Sequence, residues 1–386
     1  MRVAMFSWET LHSVAVGGVA AHVTELAAAL ARRGDEVHVF TRPGFGAGSV
    51  RQIDGVWYHY CPSNRCTDFV DEIQEMCRSF VWHFFQTEDY HGHFDVVHAH
   101  DWLAANAMVW IKHGRPDHRG VLTMHSTEYG RCGNHFWGGA SARIRDHERH
   151  GTYCADRVIA VSHALKKELA WMYNLPDGKS SVVYNGVSPR KFQGPIDVAA
   201  VRRRYDVGPM DPMVLFSGRL AVQKGPDLLL EAVPGLLRHY PHAKFVFVGD
   251  GHMRWDLEAR SRQLRTSHAT RFLGYRNGGE LIDLYKACDA VCMPSRNEPF
   301  GITALEGWAA QKPVVASENG GPNEFIWHQV NGLKIQANAN SVGWGLGTLF
   351  TNFDWARWMG NNGHQAVQSA FTWDIIGKQI QQCYQS

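Results

Sequence analysis

The feature that most constrains this chain is an alternation of short apolar runs with longer stretches of helical period, which passes through the sequence twice. Residues 3–8 and 36–41 read as buried strands. Between them Gly17-Gly18 opens a helix whose Val23, Leu26, Ala27 and Leu30 share one face, and Gly34 closes it. Runs at 95–98, 120–124 and 157–162 continue the pattern, the last ahead of a helix over 164–173. The alternation lapses over 185–208 into Gly, Pro and charge, then resumes with strands at 212–217, 244–248, 271–273, 290–293 and 313–316 and helices at 225–239, 279–287 and 300–310. Strands joined through helices return to the same edge and pair in parallel, so the expected class is α/β, with two Rossmann-like parallel sheets. A length of 386 residues is enough for two cores. The expected division is a first domain over 1–190, a linker over 191–208, a second domain over 209–370 and a helical tail over 371–386.

Composition removes several classes of function. Thirty-nine Lys+Arg against 37 Asp+Glu leave a net charge of +2, too little for a field that would hold nucleic acid, so any anion site must be local. The opening MRVAMFSW reads as a strand rather than a leader, and no apolar run is long enough to span a bilayer. The expectation is a cytoplasmic protein, with peripheral membrane contact left open. The eight cysteines lack CxxC spacing and read as reduced thiols, and the 22 histidines, eleven of them between His83 and His150, fall into no HExxH or His-x3-His pattern. No metal is expected.

In a doubly wound sheet, ligands sit outside the carboxyl ends of the strands, so the loops leaving those ends carry the chemistry. Gly17 and Gly18, at a helix start, allow close backbone approach and offer amide groups to a phosphate. No GxGxxG opens that helix, and Gly44, Gly46 and Gly48 fall in a later loop. Arg219 and Lys224, past a strand end and ahead of a helix, can neutralise a departing diphosphate. Glu298 follows the strand 290–293, and Glu306 lies two turns along the next helix. The first carboxylate can meet a sugar and the second a vicinal diol such as ribose. His125 ends another strand, where it can bond a sugar hydroxyl. His98-Ala99-His100-Asp101-Trp102 could line a sugar-binding wall, and Arg131 stands close behind His125.

These residues together resemble glycosyltransferase family 4, retaining enzymes of the GT-B architecture that include the glycogen synthases. The GGV loop, the strand ending in His125, SGRL with QKG, VGDG at 248–251, the Glu298-x7-Glu306 pair and Gly320-Gly321 carry the likeness over essentially the whole chain. The resemblance implies two domains facing a central cleft, the first on the acceptor side and the second on the donor side, with a final helix crossing back to the first. It also implies that Arg219 and Lys224 bind the diphosphate, Glu306 the ribose, Glu298 and His125 the transferred sugar. Gly18, Gly320 and Gly321 would embrace the phosphates, while loops near Gly249 and Tyr275 would pack on the base. Asp101, Trp102 and Arg131 are the acceptor-side candidates. Bacterial glycogen synthases carry Lys-Thr-Gly-Gly where this chain has Ala15-Val16-Gly17-Gly18, so one family cation is missing.

The expected reaction is transfer of a hexose, of glucose type, from a nucleotide diphosphate sugar to a hydroxyl of a saccharide or small molecule, with retention and without a metal or other cofactor. Elongation of an α-glucan is an alternative. A nucleotide-sugar epimerase and a catalytically silent binding module are readings from other classes that the same architecture would serve. In the transfer reading, Lys224→Ala is expected to slow turnover far more than it loosens the fold.

Overall fold

The computed structural model describes residues 1–44 and 49–386, and Gly46 and Gly48 of the loop named above lie outside them. The chain divides into two compact units, 1–186 with 373–386 and 187–372. Each is built around one sheet.

The first unit contains β1 (Arg2–Ser7), β2 (Glu36–Thr41), β3 (Val50–Ile53), β4 (Val56–Tyr60), β5 (Val96–His100), β6 (Arg119–Met124), β7 (Arg157–Ala160) and β8 (Ser180–Val182), in spatial order β3-β4-β2-β1-β5-β6-β7-β8. All neighbours pair in parallel except β3 and β4, an antiparallel hairpin turned at Asp54-Gly55, where both residues have positive φ. The central strands are buried on both faces because helices cover them, which is why they read as unbroken apolar runs. Between β4 and β5 runs the 23-residue helix Phe69–His91, whose start is capped by the Asp68 carboxylate.

The second unit contains β9 (Met213–Ser217), β10 (Lys244–Val248), β11 (Thr270–Gly274), β12 (Ala290–Met293), β13 (Val314–Ser317) and β14 (Leu333–Ile335), all parallel, in the order β11-β10-β9-β12-β13-β14. Phe216, Leu229, Phe245, Leu257 and Leu346 are among the residues that fill one core.

Residues 191–208 are not a free connection. A 3-10 turn covers Pro189–Phe192, and a helix capped by Asp197 covers Val198–Arg204. Arg202 is buried there and donates to the carbonyls of Gly208 and Ala287 and to Asp289. A charged segment thus belongs to the second unit because its cation is satisfied inside it. One helix ends at Ala370, and the last, Trp373–Gln385, belongs to the first unit. There Ile376 and Ile380 share a core with Leu26 and Leu30, and the Tyr384 hydroxyl meets His98 Nδ1 at 2.7 Å.

His38 on β2 and His59 on β4 are buried with ring nitrogens 2.9 Å apart. Burial pushes the His38 imidazolium from the ordinary 6.5 down to about 4, against the pull of Glu36, and that of His59 to about 3. The folded chain therefore holds both rings neutral while the unfolded chain binds protons below 6.5. Stability is complete above that pH and falls as pH drops toward the folded values, by up to about 1.4 kcal/mol per unit per group. Denaturant unfolding at pH 7.5, 5.5 and 4.5 should show this loss, and His59→Gln should make it shallower.

Candidate functional site

In the second unit the chain begins at β9, moves outward to β10 and β11, and then returns to β12 on the other side. The loops leaving β9 and β12 consequently part in opposite directions, which is where an open parallel sheet makes its ligand crevice. Backbone contacts fix both loops. The Arg296 amide donates to the Gln223 carbonyl at 2.8 Å, and a Cβ on Gly225, in the left-handed region at φ 66°, would stand 2.4 Å from the Pro294 carbonyl oxygen.

Those constraints bring Lys224 onto Glu298. Its Nζ lies 2.8 Å from each carboxylate oxygen, and the Ser295 hydroxyl donates to Oε2 at 2.9 Å. Glu298 is only 4% exposed, whereas the Lys224 side chain keeps 24% of its surface open. Arg219, on the same loop as Lys224, donates to the Gln223 side chain at 2.9 Å. On the other side, the Gly321 amide donates to the Glu298 carbonyl at 2.8 Å, so Gly320 and Gly321 lie against Glu298.

Gly249 and Gly320 are needed where backbones touch. A Cβ would come within 1.9 Å of the Gly218 carbonyl oxygen at Gly249 (φ 128°) and within 2.1 Å of the Glu298 carbonyl oxygen at Gly320 (φ 93°). Their requirement for glycine is thus accounted for within the chain. Glu306 lies on the helix Ile302–Ala309, which the Thr303 hydroxyl ties to the Ser217 carbonyl. The buried Tyr285 hydroxyl donates to Glu306 Oε2 at 2.6 Å. Burial pushes the Glu306 carboxyl above the usual carboxylate range, with the Tyr285 bond opposing it. Tyr275 follows β11, two strands from β9, with 44% of its surface exposed. A concavity between the helices Pro226–Leu237 and Ala339–Thr351 holds none of these groups.

The first unit has the same plan, with β1 between β2 and β5. The amide of Gly17, expected to face a phosphate, instead donates to Glu9 Oε2 at 2.8 Å, and that of Val16 donates to the same oxygen at 2.5 Å. Glu9 is buried. Burial raises its carboxyl, while these two bonds and the Arg42 charge lower it.

Asp101, at φ 58°, accepts the His125 amide at 2.7 Å, tying the end of β5 to the end of β6. His125 Nε2 lies 3.2 Å from His100 Nδ1, and its ring is 4.4 Å from that of His22. Burial pushes the His125 imidazolium down to about 3, so the ring is neutral near pH 7. Trp102 is 3% exposed with its ring among those of Phe69 and His147, so it is core and offers no face to an acceptor. Arg131 is paired with Glu128 and Glu148, which answer its charge inside the unit.

Sequence reasoning missed Glu9, His22, Gln223, Ser295 and Tyr285. Ser295, three residues before Glu298, was within reach of a spacing argument. Glu9 and Tyr285 were not, because their partners are brought to them by the fold.

The description "Glycosyltransferase Family 4" matches residues 16–191, and "Glycosyl transferases group 1" matches residues 197–365. A glycosyltransferase of Methanocaldococcus jannaschii is 36% identical, with 100% of this chain and 98% of that protein covered. A glycogen synthase of Mycobacterium tuberculosis is 30% identical over 86% of this chain and 82% of its own. Among solved structures, sucrose-phosphate synthase from Thermosynechococcus elongatus superposes with a TM-score of 0.83 at 22% identity, covering 100% of this chain and 98% of its own. The catalytic domain of starch synthase IV from Arabidopsis thaliana gives 0.78 at 17% identity, covering 100% and 98%. The fold is therefore GT-B, and the chain is an enzyme of glycosyltransferase family 4, with glycogen synthases among its relatives.

The Gly249 contact supplies a test of this site's rigidity. Gly249→Ala should destabilise the chain by at least the roughly 1–3 kcal/mol of a strained backbone position, and should lower Tm accordingly. Gly194→Ala, with open space around its added methyl, should change Tm little.

Proposed function

We propose that the chain moves a hexose of glucose type from a nucleotide diphosphate sugar to a hydroxyl of a saccharide or small-molecule acceptor, with retention and without a metal. The observation that carries this reading is Lys224 held on the buried carboxylate of Glu298 at the switch point of the second sheet, with Arg219 on the same loop. As the bond from sugar C1 to the diphosphate oxygen loosens, negative charge grows on the leaving group, and the two cations answer it. The acceptor hydroxyl attacks C1 from the same face and gives its proton to a leaving phosphate oxygen.

In this reading Glu298 meets the transferred sugar and Glu306 the ribose, through the oxygen that Tyr285 does not hold. Gly18 and Gly320 give amides to phosphate, Gly321 shapes that turn with its own amide on the Glu298 carbonyl, and loops at Gly249 and Tyr275 meet the base. His125 bonds the sugar as a neutral imidazole, while Gly17 acts by shaping its loop around Glu9. Asp101 lies on the acceptor side. The relatives named glycogen synthase support α-glucan elongation as a second acceptor reading. The eight cysteines, all free thiols, suit a reducing compartment such as the cytoplasm. No helix among the described residues is long and apolar enough to cross a membrane.

The expected donor is found by thermal shift with ADP-, GDP- and UDP-sugars, since specific binding raises Tm according to ligand concentration over affinity. With that donor, NMR of the product should show the anomeric configuration of the donor preserved, and EDTA should leave the rate intact. An inverted product, or activity lost to EDTA and restored by manganese, contradicts the proposal. A sugar altered without an acceptor would indicate an epimerase.

Lys224 requires a paired test, because its truncation leaves a buried carboxylate short of its partner. Lys224→Ala should lower kcat by about 100- to 1,000-fold, and should also destabilise the chain by about 1–3 kcal/mol. Lys224→Ala combined with Glu298→Gln should recover stability without recovering turnover. Recovery of both would make the lysine structural.

A further inference from the structure

The first unit gathers three imidazoles that no linear motif announces. His22 comes from the helix Gly18–Arg32, His100 from the end of β5 and His125 from the residue after β6. Each offers one ring nitrogen, and the three nitrogens lie within 4.8 Å of one another.

Their hydrogen bonds define what those nitrogens can do. His22 Nδ1 faces the Asn185 carbonyl oxygen at 2.7 Å, and a carbonyl only accepts, so Nδ1 carries the proton and Nε2 presents a lone pair. That Nε2 is buried without a hydrogen-bond partner, as is Nε2 of His100, and each of these residues is 1% exposed. The unmet His22 Nε2 in this buried cluster is costly unless something binds it, whereas the His100 nitrogen turned toward His125, and so the one available to a shared ion, is Nδ1. The 3.2 Å between His100 Nδ1 and His125 Nε2 is close to the separation of about 3.4 Å that two nitrogens take around one tetrahedral zinc ion. The His22 to Asn185 bond is the outer contact that commonly orients a ligating imidazole. Burial holds all three rings in the neutral form that ligates metal, each well below the ordinary imidazole range.

We propose that His22, His100 and His125 form a three-imidazole site for a borderline-soft divalent cation of the zinc class, with a fourth coordination position open. The set contains no carboxylate, so it selects against magnesium and calcium and for zinc, nickel, copper or cobalt. Because the transfer reading gives His125 to the sugar, metal and sugar would compete for that ring. This consequence rests on that reading, but the site itself does not, so the cation acts as an inhibitor and not as a cofactor.

The test titrates the chelator-stripped full chain with cobalt(II), with no nucleotide sugar present, and reads the visible absorption of a tetrahedral nitrogen site; zinc should displace the cobalt. Asn185→Ala should weaken binding by about 10- to 100-fold. His22→Gln, which keeps the side chain's bulk, should weaken it further, with circular dichroism confirming the fold. His93→Ala, in a separate grouping with Glu88 and His118, should change nothing. Absence of a tetrahedral spectrum, or binding that survives His22→Gln and disappears with His93→Ala, overturns the proposal. Adding the preferred nucleotide sugar should then weaken metal binding. Binding that is tight, sensitive to His22→Gln and indifferent to the sugar upholds the metal site while removing His125 from the sugar.

Discussion

The second unit depends on a carboxylate that is almost out of water. Glu298 is 4% exposed, and an unpaired charge at that depth would be costly. Lys224 and Ser295 answer its side chain, while Gly321 binds its carbonyl. Each partner lies on a loop leaving a different part of the sheet or on the same turn. Satisfying the carboxylate and the backbone of this one residue therefore holds in register the loops after β9, β12 and β13. The glycines at 225, 249 and 320 follow from the same constraint, since the loops come so close that a methyl would strike a neighbouring carbonyl. A lysine held in this way is positioned before any ligand arrives, which is the condition under which a fixed charge stabilises a transition state most effectively.

The first unit handles polarity differently. It buries neutral imidazoles and several carboxylates, Glu9, Glu88 and Glu148 among them. Where the second unit pairs a lysine with its key acid, Glu9 is met chiefly by the amides of Val16 and Gly17, with Arg42 as a more distant charge. His98 bridges Thr123 and Tyr384, so the last helix is attached to the centre of the sheet by a hydrogen-bonded ring as well as by Ile376 and Ile380.

The parts legible in the sequence were those with a local cause. Strands buried on both faces must be apolar runs, and loops leaving their ends must carry the polar chemistry, so Arg219, Lys224, Glu298 and His125 could be placed by position alone. The Asp54-Gly55 turn was legible by the same local logic and was overlooked, because the strands it joins are short and β3 is largely exposed. Residues 191–208 misled because charge and glycine resemble a linker, whereas Arg202 finds its partners on residues far ahead in the chain. Trp102 follows a polar wall in sequence, yet it occupies the first turn of a helix whose start faces the core. The histidine cluster was invisible for a related reason. Its members lie on three elements, and only the order of the strands brings them together.

The placement of Glu9 also bears on the cation missing from the first loop. Glycogen synthases with Lys-Thr-Gly-Gly bring a charge to that loop, whereas this chain has Ala15 and Val16 there, and the amides at 16 and 17 already serve an internal anion. That loop is thus electrostatically closed at its tip. In the proposed reaction, Arg219 and Lys224 are the cations that answer the departing diphosphate. Of these, Lys224 is held by the most deeply buried acid of its loop cluster, which limits how far it can move toward a ligand. In the proposed reaction the donor therefore brings its phosphates to the lysine, beside the glycines that let the β9, β10 and β13 loops close upon one another.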